Sequence, residues 1–384
     1  MKKHKVVVVG AGAWGGWSAY MLQKAGFEVT LVDKRGPGNA YAGSGGQTRV
    51  IRLAYGGNPV YTQLTARSFD LWQHYEREWQ EQFYHETGSL WLFRGVPADY
   101  AARSQPLMQS MGHALDELSE VEARQRFPQV NFENITSTWF EPRVGYLRAN
   151  YACAVVKSQF EALGGTYLQG EVVSLQGEGR LTSVKLAEGT ELKADHFVFA
   201  CGPWMKNLFP FLDELIEVSR QEVYFFEAPS GHLKPDLPIW IEFRGGEEMY
   251  YGIPGDAGTG FKVAYDQREW PLDPDLDDRE VTPAILAQMR EVVSERFPAV
   301  AGAKLLKHHT CVYESSADGE FIIDHLPQYA NALMLCGSSG HGFKMGPAIG
   351  ELIANYHTTE QALPAPFSWA RFASGVEKKT QYEV

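Results

Sequence analysis

A glycine-rich turn near the start of the chain has the residue types that hold the pyrophosphate of a dinucleotide. The apolar run Lys5–Val9 leads into residues 10–15, which have the spacing GxGxxG. Gly10 permits the tight turn, Gly12 lets a pyrophosphate approach the backbone, and Gly15 lets a helix pack closely on a strand. The free N–H groups at the start of the following helix carry partial positive charge for the phosphates. The expected cofactor contacts in this turn are Gly10, Ala11, Gly12, Trp14 and Gly15.

The elements around this turn must position an acidic residue at the same site. Residues 13–25 are predicted to form a helix that ends at a glycine, and residues 28–32 a second strand followed by Asp33. Asp33 lies 23 residues after Gly10, where a carboxylate can accept hydrogen bonds from a ribose diol. Lys34 is expected beside the cofactor too; a base here also suits the 2′-phosphate of NADP, although Asp33 would repel it. Strand, glycines, helix, strand and acid in this order predict dinucleotide binding, and the alternative is a glycine-rich turn in another α/β protein.

The segments further along the chain favour FAD over NAD. An NAD dehydrogenase would continue with regular βαβ repeats, whereas this chain enters a polar, glycine-rich segment over residues 43–52. That segment carries Arg49 and Arg52, which share a face if it is helical. Apolar strands are predicted at 194–202 and 332–337, and the second opens into a glycine-rich loop and a helix. A domain assembled from three separated pieces fits FAD, and the N-terminus of that last helix can stabilise an anionic reduced flavin.

The composition limits the partners and the location. The formal net charge is −12, so nucleic acid and anionic membranes, which require basic surfaces, are not expected as partners. The N-terminal residues lack the apolar stretch of a signal peptide, and no run approaches the roughly 20 apolar residues that cross a membrane. The 4 cysteines are scattered without a CxxC pair. We therefore expect no disulfide framework and a cytoplasmic protein.

With these features the chain resembles the monomeric sarcosine oxidase family of FAD-dependent amine and amino-acid oxidases, within the D-amino-acid-oxidase-like superfamily. The resemblance extends over nearly the full length. Besides the N-terminal pattern, it is carried by residues 48–52, 250–254, 260–262, 310–313, 319–324 and 339–344. It implies an α/β + α+β fold, with a Rossmann-like FAD-binding domain and a second, antiparallel-sheet substrate domain inserted in two pieces. The expected FAD-binding domain comprises residues 1–85, 148–220 and 313–384, and the substrate domain residues 86–147 and 221–312.

The resemblance implies a covalent flavin. In the family, a cysteine at the position of Cys311 is bonded to the 8-methyl carbon of the flavin. The preceding bases Lys307, His308 and His309 predict a lowered thiol pKa and the thiolate that such a bond requires. The alternative is a buried, inert cysteine, which is how most free cysteines behave. Because adjacent histidines on a strand point to opposite faces, no metal site is expected.

Four cationic side chains receive roles from the same resemblance. An arginine at the position of Arg49 lies against the flavin face. Arg52 and Lys344 clamp the substrate carboxylate, for which a planar guanidinium and an ammonium group are suited. Lys262 corresponds to the lysine that promotes reaction with oxygen, because a fixed cation stabilises superoxide.

Two tyrosines and a set of cofactor contacts complete the predicted site. Tyr251 and Tyr313 correspond to tyrosines that wall the pocket, and the alternative is that they are core rings. The further expected cofactor contacts are Ser44, Gln47, Thr48, Arg49, Val173, Cys201, Gly202, Trp204, Gly337, Gly340, His341, Gly342, Phe343 and Lys344.

Two positions depart from the family pattern. The family's pocket histidine four residues after the oxygen-activating lysine is Asp266 here, and another pocket histidine is Gly45. Both changes remove rings that would contact the substrate, which puts sarcosine itself in doubt. Asp266 is a further catalytic candidate: its carboxylate can pair with a second amino group or a hydroxyl of the substrate, or it faces solvent.

The expected function is FAD-dependent oxidation of a C–N bond in a secondary amine or amino acid that bears a carboxylate. Hydride would pass from the α-carbon to flavin N5, the imine would leave and hydrolyse, and O2 would be reduced to H2O2. One alternative is a flavin dehydrogenase that passes electrons to an acceptor other than O2, against which Lys262 argues. Another is an NAD(P)-dependent reductase or a nucleotide-binding protein without redox turnover. The protein is expected to act as a monomer.

Overall fold

The computed structural model describes residues 3–233, 236–245, 248–255, 259–266, 270–359 and 361–375. Within these residues the helices are α1 (Ala13–Lys24), α2 (Pro59–Trp79), α3 (Asp99–Ser110), α4 (Glu120–Arg126), α5 (Ala149–Ala162), α6 (Met205–Leu208), α7 (Pro283–Arg296) and α8 (Gly346–Thr359). The strands are β1 (Lys5–Val9), β2 (Glu28–Asp33), β3 (Thr48–Ile51), β4 (Tyr84–Glu86), β5 (Ser89–Phe93), β6 (Asp116–Leu118), β7 (Ser137–Glu141), β8 (Gly145–Arg148), β9 (Thr166–Gln169), β10 (Val172–Glu178), β11 (Arg180–Leu186), β12 (Glu191–Lys193), β13 (His196–Phe199), β14 (Ile216–Phe226), β15 (Ile239–Gly245), β16 (Glu248–Ile253), β17 (Phe261–Tyr265), β18 (Leu305–Ser316), β19 (Ile322–Leu326) and β20 (Tyr329–Cys336).

The first large sheet has the strand order β19-β20-β13-β1-β2-β9. All neighbours are parallel except β19 and β20 at one edge. The valines of β1 are buried because this central strand is covered on both faces: Val6 and Val8 pack with α1 and α8, whereas Val7 and Val9 pack with the small sheet β10-β11-β12. The strands predicted at 194–202 and 332–337 are β13 and β20. The predicted Rossmann-like α/β architecture is thus confirmed.

The second large sheet has the strand order β18-β14-β17-β16-β15-β5-β7-β6. Its neighbours are antiparallel except β5 and β15, which pair in parallel from Ser89↔Ile239 to Phe93↔Phe243. The expected antiparallel sheet therefore contains one parallel pair. These two strands come from different insertions, so no hairpin forces them to run in opposite directions.

The two faces of this sheet bury different partners, because successive strand residues point to opposite sides. Phe261 and Val263 of β17 pack with Met289 of α7 on one face. On the other face Ala264 packs with Cys311 and a few further residues in a small cluster. Helix α7 thus covers one face, and the other face is left to line a cavity.

Strands β14 and β18 connect the two large sheets. They pair along their whole length, from Ile216↔Ser316 to Phe226↔Leu305. They run through the expected domain boundaries at 220/221 and 312/313, which remain a prediction. The end of β18 reaches the loop after β20, where Ser339 N–H donates to the Glu314 carbonyl oxygen at 2.9 Å.

The helices are close to the predicted ones, but one segment differs. Helix α1 covers the helix predicted at residues 13–25, and α8 follows the glycine-rich loop after β20, as predicted. Residues 48–51, however, form β3, in which Arg49 lies opposite Leu147 of β8. The hypothesis that Arg49 and Arg52 share a helical face is therefore wrong. None of the described helices is both long enough and apolar enough to cross a membrane.

Candidate active site

A long cleft lies at the carboxyl ends of β1 and β2, with a cavity volume of about 330 Å³. Two glycines of the GxGxxG turn are required by close packing there. Gly10 has φ +103° and a Cβ on it would lie 2.2 Å from the Ala200 carbonyl oxygen, while a Cβ on Gly15 would lie 1.8 Å from the Gly10 oxygen. The side chain of Ser44 closes over the turn by accepting a hydrogen bond from Ala13 N–H at 2.9 Å.

The carboxylate of Asp33 is fixed at the edge of this cleft. It accepts hydrogen bonds from the backbone N–H groups of Ala11 (2.7 Å), Arg35 (2.8 Å) and Gly36 (2.6 Å). A carboxylate has about four acceptor positions, so one remains for a ribose hydroxyl. The ammonium group of Lys34 lies 2.9 Å from Glu171 and 3.8 Å from Asp275. These acidic partners neutralise Lys34 and disfavour a 2′-phosphate at this end.

The predicted cofactor residues divide into three groups. Those that line the cleft are Gly10, Gly12, Trp14, Asp33, Lys34, Ser44, Val173, Cys201, Gly202, Trp204 and Phe343. Those that line a second cavity are Arg49, Gly340, His341, Phe343 and Lys344. Those that line neither cavity are Ala11, Gly15, Gln47, Thr48, Cys311, Gly337 and Gly342. A cleft of this length, with glycine backbone at one end and an acid beside it, fits the ADP moiety of FAD.

The second cavity adjoins the cleft, since Phe343 lines both. It is smaller, about 60 Å³. It brings together side chains from β3, β15, β16, β17, β18 and the loop after β20. Its described lining residues are Arg49, Val50, Arg52, Ile241, Met249, Tyr251, Lys262, Asp266, Tyr313, Gly340, His341, Phe343 and Lys344. All seven side chains predicted from the sequence to be catalytic or substrate-binding lie in this set.

Cys311 and Arg49 meet between the cleft and the second cavity. Arg49 Nη2 lies 3.5 Å from Cys311 Sγ, and the same guanidinium group donates to the carbonyl oxygens of Gly43 and Thr48, each at 2.9 Å. Burial alone would raise the pKa of Cys311, but Arg49, followed by His309 and Lys262, lowers it to about 5. The thiolate is thus the dominant form at neutral pH.

The structure corrects the expected source of this thiolate. His308 is exposed, and it lies on the face of β18 opposite to Cys311. Lys307 donates a hydrogen bond to Gln47 Oε1 at 2.6 Å, so its ammonium group is directed to that side chain. Of the three bases expected to act, only His309 has an effect on Cys311, and Arg49 has a larger one.

Lys262 is a buried lysine on β17, with 2% of its surface exposed. Its ammonium group donates to the Thr48 carbonyl oxygen at 3.2 Å and lies 5.5 Å from the centre of the Tyr251 ring. Burial, and then the positive charge of Arg49, lower the pKa of Lys262 to about 7. At neutral pH this side chain therefore exchanges readily between its cationic and neutral forms.

Arg52 and Lys344 are two buried cations on another wall of the same cavity, 3% and 4% exposed. The Arg52 guanidinium carbon lies 4.6 Å from the centre of the Tyr55 ring. Lys344 Nζ donates to Tyr55 Oη and to the His341 carbonyl oxygen, each at 2.7 Å. Burial, and then Arg52, hold the pKa of Lys344 well below its usual range. Two such cations would be stabilised by an anion placed between them.

Two buried acids that the sequence did not indicate stand behind the site. Glu141, at the end of β7, accepts a hydrogen bond from Leu53 N–H at 2.7 Å, and burial raises its pKa to about 7. Glu314 lines the cleft and accepts from the N–H groups of Gly337 (3.1 Å) and Ser338 (3.4 Å), and burial raises its pKa to about 7 as well. Glu141 has no local motif. Glu314 follows directly on residues 310–313, which was the only signal for it.

The glycine-rich loop after β20 is held by rings on both sides. Trp14 Nε1 donates to the Gly342 carbonyl oxygen at 2.9 Å, and Trp72 Nε1 to the Lys344 carbonyl oxygen at 2.7 Å. A Cβ on Gly340, which has φ +76°, would lie 2.6 Å from the Tyr313 ring. Glycine at this position therefore lets the Tyr313 ring pack directly on the loop.

Comparison with known proteins gives matches over nearly the full chain. Residues 5–356 match the DAO family, described as FAD dependent oxidoreductase. The chain is 31% identical over 364 residues to monomeric sarcosine oxidase of Bacillus sp. (strain NS-129), with 92% of each chain covered. It is 26% identical over 380 residues to N-methyl-L-tryptophan oxidase of Salmonella arizonae, covering 97% of this chain and 100% of the relative.

Two solved structures share the fold at lower identity. The L-proline dehydrogenase from P. horikoshii has a TM-score of 0.84 at 20% identity and covers 98% of this chain and 100% of its own. The fructosyl amine:oxygen oxidoreductase from Aspergillus fumigatus has a TM-score of 0.79 at 18% identity, covering 95% and 88%. At these identities the similarity concerns the fold.

Proposed function

The chain belongs to the DAO family of FAD-dependent oxidoreductases, and on this basis we propose that it oxidises the C–N bond of a small secondary amine or amino acid that carries a carboxylate. The relatives named monomeric sarcosine oxidase and N-methyl-L-tryptophan oxidase support oxidation at a CH–NH group. FAD, when bound, would supply the two-electron chemistry: acceptance of a hydride from the substrate α-carbon and transfer of the electrons to O2, giving H2O2. The imine product is released and hydrolyses in water.

One observation carries this proposal: the buried cations Arg52 and Lys344 line the same small cavity as Lys262, directly beside the cofactor cleft. Charge-assisted hydrogen bonds from cations in a desolvated site are strong, and the buried acid Glu141 lies near both side chains. In our proposal the substrate carboxylate is a further anionic partner, which these two cations bind inside the cavity. Arg52 binds it with the planar fork of its guanidinium group, and Lys344 adds a point charge.

The same cations adjust the protonation of the substrate amine. A hydride can leave the α-carbon only when the neighbouring nitrogen has its lone pair free. Positive charges at Arg52 and Lys344 lower the pKa of a bound amine, because two like charges repel each other. The amine is therefore bound as the free base, and no side chain is needed as a general base.

We assign the reaction with oxygen to Lys262. Reduction of O2 begins with one electron and creates superoxide, and a cation held in a dry site stabilises that charge. Burial of Lys262 beside Arg49 supports this role, since the fold keeps this lysine in a position where its charge is costly. The alternative, a dehydrogenase that uses another electron acceptor, leaves the buried lysine without a task.

We further propose that FAD is held covalently by Cys311. The thiolate that Arg49 stabilises is the species that forms such a bond, and Cys311 directly precedes Val312, which lines the cleft, and Tyr313, which lines the cavity. Forming the C–S bond breaks a C–H bond of the flavin methyl group and releases two electrons, which FAD would take up and O2 would then accept. In this proposal Arg49 lies against the flavin, and Tyr251 and Tyr313 form the walls of the substrate pocket. The cleft residues from Gly10 to Asp33 hold the ADP moiety. One chain holds all these groups, which supports action as a monomer.

A peroxide-coupled screen of the purified protein tests the proposed function. The substrates are N-methyl amino acids, cyclic imino acids, primary amino acids and the matched amines that lack a carboxylate. We expect H2O2 from carboxylate-bearing substrates and little from the matched amines. Substrate-dependent reduction of an artificial electron acceptor without any H2O2 would favour the dehydrogenase instead.

A further inference from the structure

Asp266 directly follows β17 and lines the substrate cavity. Along β17, side chains alternate between the two faces of the sheet. Those of Phe261, Val263 and Tyr265 pack toward α7. Lys262 and Asp266 line the cavity instead. The backbone of Asp266 is held in place by its N–H, which donates to the Met249 carbonyl oxygen at 2.9 Å.

The charges in this cavity are unevenly distributed. Its described lining includes four basic side chains, Arg49, Arg52, Lys262 and Lys344, and Asp266 is the one carboxylate among them. Within the described part of the chain, no hydrogen-bond donor or cation pairs with the Asp266 carboxylate. The Asp266 side chain is partly buried. It lies close enough to the Lys344 ammonium group to raise the pKa of Lys344. A partly desolvated carboxylate in this position is suited to a cationic ligand group.

Asp266 is distant from Lys262, the residue assigned to the reaction with oxygen. Four residues along a strand correspond to roughly 13 Å between the Cα atoms of Lys262 and Asp266. The reacting amine must be a free base, and a carboxylate beside it would favour the ammonium form instead. Asp266 is therefore better placed for a group that is remote from the reacting nitrogen.

We propose that the substrate carries a second positive charge, on a side chain, and that this charge pairs with Asp266. The substrate class is then an N-substituted basic amino acid: its carboxylate lies at Arg52 and Lys344, and its distal ammonium or guanidinium group lies at Asp266. This inference rests on the proposed function of the cavity. It adds a residue that determines specificity through contact with the substrate side chain.

Two matched pairs of substrates isolate the second charge. Nα-methylornithine and Nα-methylnorleucine have the same length but differ in the terminal ammonium group, and Nα-methylarginine and Nα-methylcitrulline differ in the guanidinium charge. The measurements are kcat/KM and the anaerobic rate of flavin bleaching, made on the holoenzyme and on Asp266→Asn. Asp116→Asn is the matched control, because Asp116 is an exposed residue on β6 outside the cavity lining.

We expect kcat/KM for the charged member of a pair to exceed that for its neutral partner about tenfold or more, because a hydrogen bond between charged groups contributes about 1.5 to 3 kcal/mol. Asp266→Asn should bring this ratio to near one, and Asp116→Asn should leave it unchanged. A ratio near one in the wild type, or one that Asp266→Asn does not alter, would overturn the inference and leave the oxidase function intact. If no N-methyl, cyclic or primary amino acid, charged or neutral, bleaches the flavin, the proposed function itself fails and the inference with it.

Discussion

The guanidinium group of Arg49 lies 3.5 Å from the sulfur of Cys311, although 262 residues separate them in the chain. Strand β3 and strand β18 bring them together, and the positive charge lowers the pKa of the thiol to about 5 against the effect of burial. Cys153 is buried as well, but there burial raises the pKa of the thiol to about 12. The fold thus distinguishes one reactive cysteine from the inert ones.

Replacing Arg49 by glutamine should slow covalent attachment of the flavin. Without the guanidinium charge, which is the largest cause that lowers the pKa of Cys311, this pKa rises and the thiolate fraction at pH 7 falls. The measurement is the fraction of yellow colour that stays with the protein after acid precipitation, followed over time after FAD is added to flavin-free protein. Lys307→Gln is the matched control and should attach flavin at the wild-type rate. A slow Lys307→Gln and a normal Arg49→Gln would contradict this assignment.

Replacing Lys262 by methionine should slow the reaction of the reduced enzyme with oxygen by about a hundredfold or more. Reduction of the enzyme by substrate should change far less, because Lys262 is assigned to the oxygen step. In the wild type, the oxygen rate should fall as the pH rises through about 7, where Lys262 loses its charge. Stopped-flow mixing of reduced enzyme with oxygenated buffer measures both effects. An oxygen rate independent of pH between 6 and 8, roughly one unit either side of that pKa, would contradict the role of Lys262.

Arg52→Gln should weaken binding of the substrate about 10- to 100-fold, because one partner of a charged hydrogen bond is removed. The effect should be confined to substrates that carry a carboxylate. The measurement is the dissociation constant from anaerobic flavin reduction, compared between an N-methyl amino acid and the corresponding amine without a carboxylate. Equal weakening of both substrates would mean that Arg52 supports the cavity structurally and does not bind the carboxylate.

Glu314→Gln should change the pH dependence of stability. Burial raises the pKa of Glu314 to about 7 in the folded protein, whereas an unfolded glutamate ionises near 4.3. Between these values the folded state holds one more proton, so stability falls as the pH rises from about 4 to 7 and is constant above. The full difference corresponds to about 4 kcal/mol. Glutamine does not ionise, so the variant should lose less stability over this range.

Urea unfolding of the holoenzyme at pH 5 and pH 8 measures the effect of Glu314. These two conditions lie on either side of the folded-state pKa of Glu314, so most of the stability change between about pH 4 and 7 falls between them. Glu178→Gln, at an exposed position on β10, is the matched control and should behave like the wild type. A Glu314→Gln variant with the same pH dependence as the wild type would show that Glu314 ionises in the folded protein as it does in water.

The sequence was sufficient where the determinants are local. A run of valines followed by closely spaced glycines and an acid predicts β1, α1 and β2, because strand, turn and helix are neighbours in the chain. Residue types and spacing could not show that Arg49 lies on a strand, since its partner strand β8 is about 100 residues away. Lys307 and His308 were expected to act on Cys311 because they are close to it in the sequence. Glu141 was not expected because its partner Leu53 is far away in the sequence.

The central claim is that a carboxylate-bearing amine reduces FAD held beside Arg52 and Lys344. Anaerobic mixing of the purified yellow protein with a series of N-methyl amino acids tests it most directly, with absorbance followed near about 450 nm. We expect the flavin band to be lost with at least one of them and to return when air is admitted, with one H2O2 formed for each flavin reoxidised. A band that persists with every N-methyl amino acid, imino acid and amine would contradict it.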